Sequence, residues 1–191
     1  SGLNLYNTKA YAAAQKTFYT FSKTKNIGSN LKADALYYEA MCAIKLNQPD
    51  ADKKVLSFVE NHPNSNKRNG AFFNVGTYYF ANKKAAYALK WFQKVAIDEL
   101  SNEDQKELNF KMGYCFLTTN NLTLANKRFL PLINDAKYGN DSRYYYGFTA
   151  YKLEDYDIAE STLKEIADNE SYRAEISYYL LDISFKVGNF E

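Results

Sequence analysis

Among 191 residues there are one histidine, two cysteines and three prolines. Each shortage closes off a class of fold or function. The lone histidine, His62, stands in "ENHPNS" directly before Pro63, a place biased to extended loop geometry. With no second histidine there is no His pair for a metal site and no His-centred relay for proton transfer. No Walker-type glycine loop or dinucleotide fingerprint occurs either. The carboxylate pairs Glu103-Asp104 and Glu154-Asp155 fall at helix starts or loops, where they complement the positive helix end. The expectation is a protein that is not an enzyme, with no cofactor and no metal. The 3 prolines and 8 glycines supply few of the turns that an all-β sandwich needs. No apolar run approaches the roughly 18 residues that cross a bilayer, so direct membrane insertion of this segment is not expected. Lys and Arg number 24 against 22 Asp and Glu, and basic pairs such as Lys53-Lys54, Lys67-Arg68 and Lys83-Lys84 are scattered. That distribution argues against nucleic acid as the main partner.

What the chain does have is 46% hydrophobic residues, enough for a core, and a repeated spacing. "GTYYFANKKAAYALKWF" sets Gly76, Ala88 and Phe92 at two intervals that recur as Gly113, Ala125 and Phe129, as Gly147, Ala159 and Leu163, and as Gly2, Ala14 and Phe18. Aligning the first small residue places Gly2, Ala40, Gly76, Gly113, Gly147 and Leu181 in register, at intervals of 38, 36, 37, 34 and 34 residues. Each unit reads as two antiparallel helices, A and B, with a small residue on each where the backbones approach most closely. A large B-helix residue one turn further on is expected to pack into the neighbouring unit; in order these anchors are Phe18, Leu56, Phe92, Phe129 and Leu163. Unit two departs most, with Ala40 for glycine, Pro49 near the start of helix B and Asp52 in the small place.

On these residues the chain resembles the tetratricopeptide repeat family over nearly its whole length, most closely at Phe72, Val75, Gly76, Tyr79, Ala88, Phe92 and Val95. The resemblance implies an all-α, right-handed superhelical solenoid of about five helix-turn-helix units. They would span approximately residues 1–30, 31–66, 67–101, 102–139 and 140–171, with a partial unit over 172–191, as a single array. The last B helix would begin at Phe190-Glu191, which leads us to expect a fragment of a longer array.

Such an array presents a concave wall made mainly by A helices. Positions three before, one after and four after each small residue share that wall. Ten of these fifteen positions are aromatic: Tyr37, Phe73, Phe80, Phe110, Tyr114, Tyr144, Phe148, Tyr151, Tyr178 and Phe185. Two readings stand side by side. The aromatics are inter-repeat core, or they line a groove for a peptide or protein partner. Chaperone-docking members of the family hold a carboxylate with lysine and asparagine, whereas the matching places here carry Tyr37, Met41, Phe73, Thr77, Phe110 and Tyr114. That clamp is missing.

Cys42 and Cys115 lie two units apart, too far for a disulfide, and are expected to be free thiols. Tyrosine-rich A helices after short Pro/Asn joints, as in "ADALYYEAMCAIKL", resemble the long repeat proteins of the Gram-negative cell envelope. The resemblance implies a non-catalytic scaffold in the periplasm or at the outer membrane. The alternative is a cytoplasmic regulatory or peptide-sensing module, or the non-catalytic part of a larger enzyme.

Overall fold

In the computed structural model, residues 1–188 are described, and the expected start of a further B helix at Phe190 falls outside them. Eleven α-helices and no strand occur among the described residues. They are α1 (Gly2–Asn7), α2 (Tyr11–Ser22), α3 (Ser29–Lys45), α4 (Ala51–Asn61), α5 (Arg68–Ala81), α6 (Ala85–Phe92), α7 (Asn102–Thr118), α8 (Leu122–Phe129), α9 (Gly139–Lys152), α10 (Tyr156–Lys164) and α11 (Arg173–Val187). Short 3-10 turns follow α6 and α8. The odd-numbered helices α1 to α9 carry the first small residue of the repeat and the even-numbered ones the second, while α11 has Leu181 at the corresponding place.

The turn inside each pair is built the same way five times. Lys9, Asn47, Lys83, Asn120 and Glu154 each take a left-handed backbone, with φ of 62, 53, 58, 60 and 64°. All five stand seven residues after the small residue of their A helix. The next N–H then reaches back to the carbonyl five residues earlier, from Ala10, Gln48, Lys84, Asn121 and Asp155. This is the Schellman arrangement, which satisfies a carbonyl that the helix end leaves orphaned. No glycine occupies any of these left-handed positions.

The repeated triplet has a direct geometric meaning. A Cβ added to Gly2 would lie 2.8 Å from Phe18 Cε1, one on Gly113 2.8 Å from Phe129 Cε1, and one on Gly147 2.7 Å from Leu163 Cγ. At Gly76 it would run into the Phe92 ring. The glycine is therefore a seat for the large side chain of its own pair, a contact that the expectation of packing into the neighbouring unit did not include. Phe18 and Phe129 do both, stacking on Tyr38 (5.1 Å) and Tyr145 (5.2 Å) of the next A helix.

The second pair is also corrected. Leu56 is 42% exposed, while Ala51 and Val55 are fully buried and take the small and large places. Pro49 and Asp50 form a tight turn, closed by the Ala51 N–H donating to the Gln48 carbonyl (3.1 Å), so the helix starts late and its face slips by one residue. Asp52, turned half outward, accepts a hydrogen bond from the Tyr79 hydroxyl of α5 (2.6 Å).

The chain divides into two compact units, Ser1–Leu100 and the residues from Ser101 onward. In the first, each of α1 to α6 packs on its chain neighbour and α3 also meets α5. In the second, α7 to α11 follow the same neighbour-on-neighbour order. A helical repeat is the coarse description that both units support.

Candidate functional site

Of the three expected wall residues in the first unit, Tyr37 is the most firmly built in. Its ring meets Tyr38 edge-on (5.1 Å) and lies tilted against Phe58 of α4 (5.5 Å). Lys67 Nζ sits 5.6 Å from its centroid, and burial pushes the phenol well above its usual range. Phe73 and Phe80 on α5 are half-buried, the former 6.3 Å from the Phe92 ring.

In the second unit the expected residues form a packed aromatic ladder. Phe110 stacks on Tyr138 (5.0 Å) and meets Phe129 edge-on (5.9 Å). Tyr144 stacks on Tyr172 at 4.1 Å, and the Tyr172 hydroxyl donates to Asp141 (2.6 Å). Phe148 and Tyr151 both contact Tyr179, at 5.5 and 4.9 Å. The Tyr151 hydroxyl donates to Asp182 Oδ2 (2.7 Å); this bond, together with burial, raises the Tyr151 pKa to about 12, and the same bond lowers that of Asp182 against its own burial. These four contribute to helix–helix packing. The remaining three are exposed: Tyr114 at 38%, Tyr178 at 62% and Phe185 at 59%. Together with Leu181, also 59% exposed, Tyr178 and Phe185 follow i, i+3, i+7 spacing and make one apolar stripe along α11.

A second tyrosine, next to the wall position on α3, α9 and α11, was missing from the expected site. Tyr38, Tyr145 and Tyr179 stand two before Ala40, Gly147 and Leu181 and pack toward the preceding B helix, Tyr179 within the cluster around Leu163, Ile166 and Ile176. The signal was the doublet itself. Tyr37-Tyr38, Tyr144-Tyr145 and Tyr178-Tyr179 recur at one register, each with rings edge-to-face at 5.1, 5.3 and 5.6 Å. One tyrosine of each pair takes the wall position and the other the inter-helix seam.

Chemistry elsewhere is sparse. His62 caps α4, tilted against Phe58 (5.5 Å), on the wall of a polar cavity of about 510 Å³ shared with Asn61, Asn64, Asn66 and Asp34. Among the described residues no cluster of three or more His, Cys, Asp or Glu could hold a metal ion, and no helix is long and apolar enough to cross a membrane. Cys42 and Cys115 are free and buried, and burial raises both thiols to about 11. The described geometry is that of an α-helical repeat, in which Tyr114, Tyr178 and Phe185 are the exposed members of the expected aromatic set. No protein-family model matches the chain, and neither does any curated protein.

Proposed function

We propose that the chain is a non-catalytic scaffold of tetratricopeptide type, a right-handed solenoid that binds a protein or peptide through exposed aromatic A-helix side chains. The observation that carries the repeat reading is the glycine seat, present under the large B-helix residue in four pairs. Support for binding comes from the apolar stripe Tyr178, Leu181 and Phe185, since a contiguous exposed patch of this kind marks an interaction surface. The tyrosine hydroxyl at its rim can orient a polar group of the partner. The compartment we infer is the bacterial periplasm or the outer-membrane surface, from the tyrosine-rich A helices and their Pro/Asn joints. A cytoplasmic peptide-sensing module is the second reading, favoured by two cysteines that remain unpaired.

Affinity capture from separated envelope and cytosolic fractions tests both, comparing the chain with a Tyr178→Glu, Phe185→Glu variant of equal helicity. A partner held from the envelope by the first and lost by the second is the expected result. Capture confined to cytosol would select the second reading, and equal capture by both proteins would overturn the assignment of binding to this face.

A further inference from the structure

The near-neutral charge of the whole chain conceals two strongly and oppositely charged halves. Residues 1–100 hold 14 Lys and Arg against 7 Asp and Glu, a net of +7; residues 101–191 hold 10 against 15, a net of −5. In the first unit, part of the excess is collected in a groove between α2 and α4, floored by α3. Two adjoining cavities of about 340 and 380 Å³ share Tyr19, Glu39 and Lys54. Glu39 is buried at the floor, where Lys54 Nζ neutralises it at 3.2 Å. That leaves Lys16, Lys23 and Lys53 exposed along the rim against one exposed carboxylate, Asp50, with Lys23 Nζ 5.3 Å from the centroid of Tyr19. Tyr19 itself is 52% exposed in the middle of the groove. A cationic rim around an exposed aromatic calls for an acidic ligand with some apolar surface.

The second unit carries a segment of that chemistry. Residues 154–175, comprising α10, the connection after it and the first turn of α11, hold eight carboxylates against Lys164 and Arg173. Among the described residues only Glu160 and Glu165 of these eight are ion-paired, to Lys164 (2.7 Å) and Arg143 (2.9 Å). Glu154, Asp155 and Asp157 are exposed at the start of α10, flanked by the exposed Leu153 and Ile158. Burial of the other face of α10 through Ala159 and Leu163 fixes these groups outward.

We propose that the α2–α4 groove is the docking surface for a second copy of this chain, which offers it the acidic start of α10. Lys16, Lys23 and Lys53 face the carboxylates of the second molecule, and its Leu153 and Ile158 cover Tyr19. The two surfaces differ, so the contact is heterologous: each molecule offers one groove and one α10, and association runs head to tail into rings or short filaments. Opposed patches of this size also speed encounter and make it salt-dependent.

The test is the weight-average mass of the full 191-residue chain by sedimentation equilibrium, over a wide concentration range. Measurements are made at roughly 20 and 500 mM salt, where charges are screened over about 20 and 4 Å. The mass is expected to rise with concentration at low salt and to return to the 22.0 kDa monomer at high salt. A Lys16→Glu, Lys23→Glu, Lys53→Glu variant and a Glu154→Lys, Asp157→Lys variant should each be monomeric, with unchanged helicity by circular dichroism. Mixed in equal amounts they should associate again, because each reversed surface then meets its complement on the other protein. A monomer at every concentration in low salt would overturn the proposal. So would association indifferent to salt and to both variants, or a mixture that stays monomeric.

Discussion

Gly113→Ala isolates the interaction on which the repeat rests. In an ordinary helix interior this change is stabilising by about 1 kcal/mol, because alanine loses less conformational freedom on folding. Here the new Cβ would lie 2.8, 2.9 and 3.1 Å from Phe129 Cε1, Cζ and Cδ1. Phe129 is fully buried, with Phe110 edge-on at 5.9 Å and Tyr145 stacked at 5.2 Å, so its ring has little room to retreat. Overpacking of a well-filled core costs about 1–3 kcal/mol, and a blocked ring belongs in the upper half of that range. Subtracting the propensity gain leaves a net loss of about 1–2 kcal/mol. Urea unfolding measures it, with Gly70→Ala as the internal control. At Gly70 the nearest atom to an added Cβ is the Tyr37 hydroxyl oxygen at an unstrained 3.6 Å, so that variant should gain about 0.5–1 kcal/mol. In a Phe129→Ala background, where the seat is empty, Gly113→Ala should change sign and stabilise. A Gly113→Ala protein that is more stable than the parent would refute the seat.

Val55→Ala removes two fully buried methyl groups and should cost about 2 kcal/mol, whereas Leu56→Ala, at an exposed position, should stay within roughly 0.5 kcal/mol by the same unfolding assay. Lys83→Gly relieves an exposed left-handed turn residue at φ 58° and should raise the urea midpoint by about 0.5–1 kcal/mol of stability; a lower midpoint would show that the side chain holds the turn. At pH 8 the folded chain should leave Cys42 and Cys115 unreacted with a disulfide reagent while the urea-unfolded chain titrates two thiols, because burial raises both to about 11. Asp135 accepts the Tyr138 N–H (2.9 Å) and Lys137 N–H (2.8 Å) and pairs with Lys106 (2.9 Å), which lowers its pKa from 3.8 to about 2. Its folded-state pKa is the lower one, so its stabilisation is complete above about pH 4 and is lost as pH falls toward 2. Asp135→Asn should flatten the acid limb of the stability profile in that window, and an unchanged limb would remove Asp135 from the acid response.

The helical class was legible in the spacing, because a small residue on each of two helices and a large one four places on is a periodicity that only helices use. The late start of α4 was not. Pro49 and Asp50 could be read as a tolerated first turn, and only the closed turn before Ala51 moved Val55 inward and Leu56 outward. The left-handed residue seven places after each small residue was legible at most at Asn47 and Asn120, since asparagine favours that conformation, whereas Lys9, Lys83 and Glu154 carry no such signal. The ten aromatic positions were legible as a set. How far each is buried was not, since burial depends on whether a tyrosine from the next A helix closes over it, as Tyr179 does over Phe148 and Tyr151.

By itself, then, the order of residues determined the helical class and the pairing of the helices, which rest on the spacing of small and large residues near in sequence; the seating of the large ring on its own pair's glycine came from the structure. The opposite charges of the halves were equally present in the order of residues, but they acquired meaning only when the contacts divided the chain after Leu100. Tertiary structure alone decided which aromatics stay exposed, which lysines rim a groove and which one is spent on Glu39, because exposure and pairing depend on neighbours that the sequence places far away.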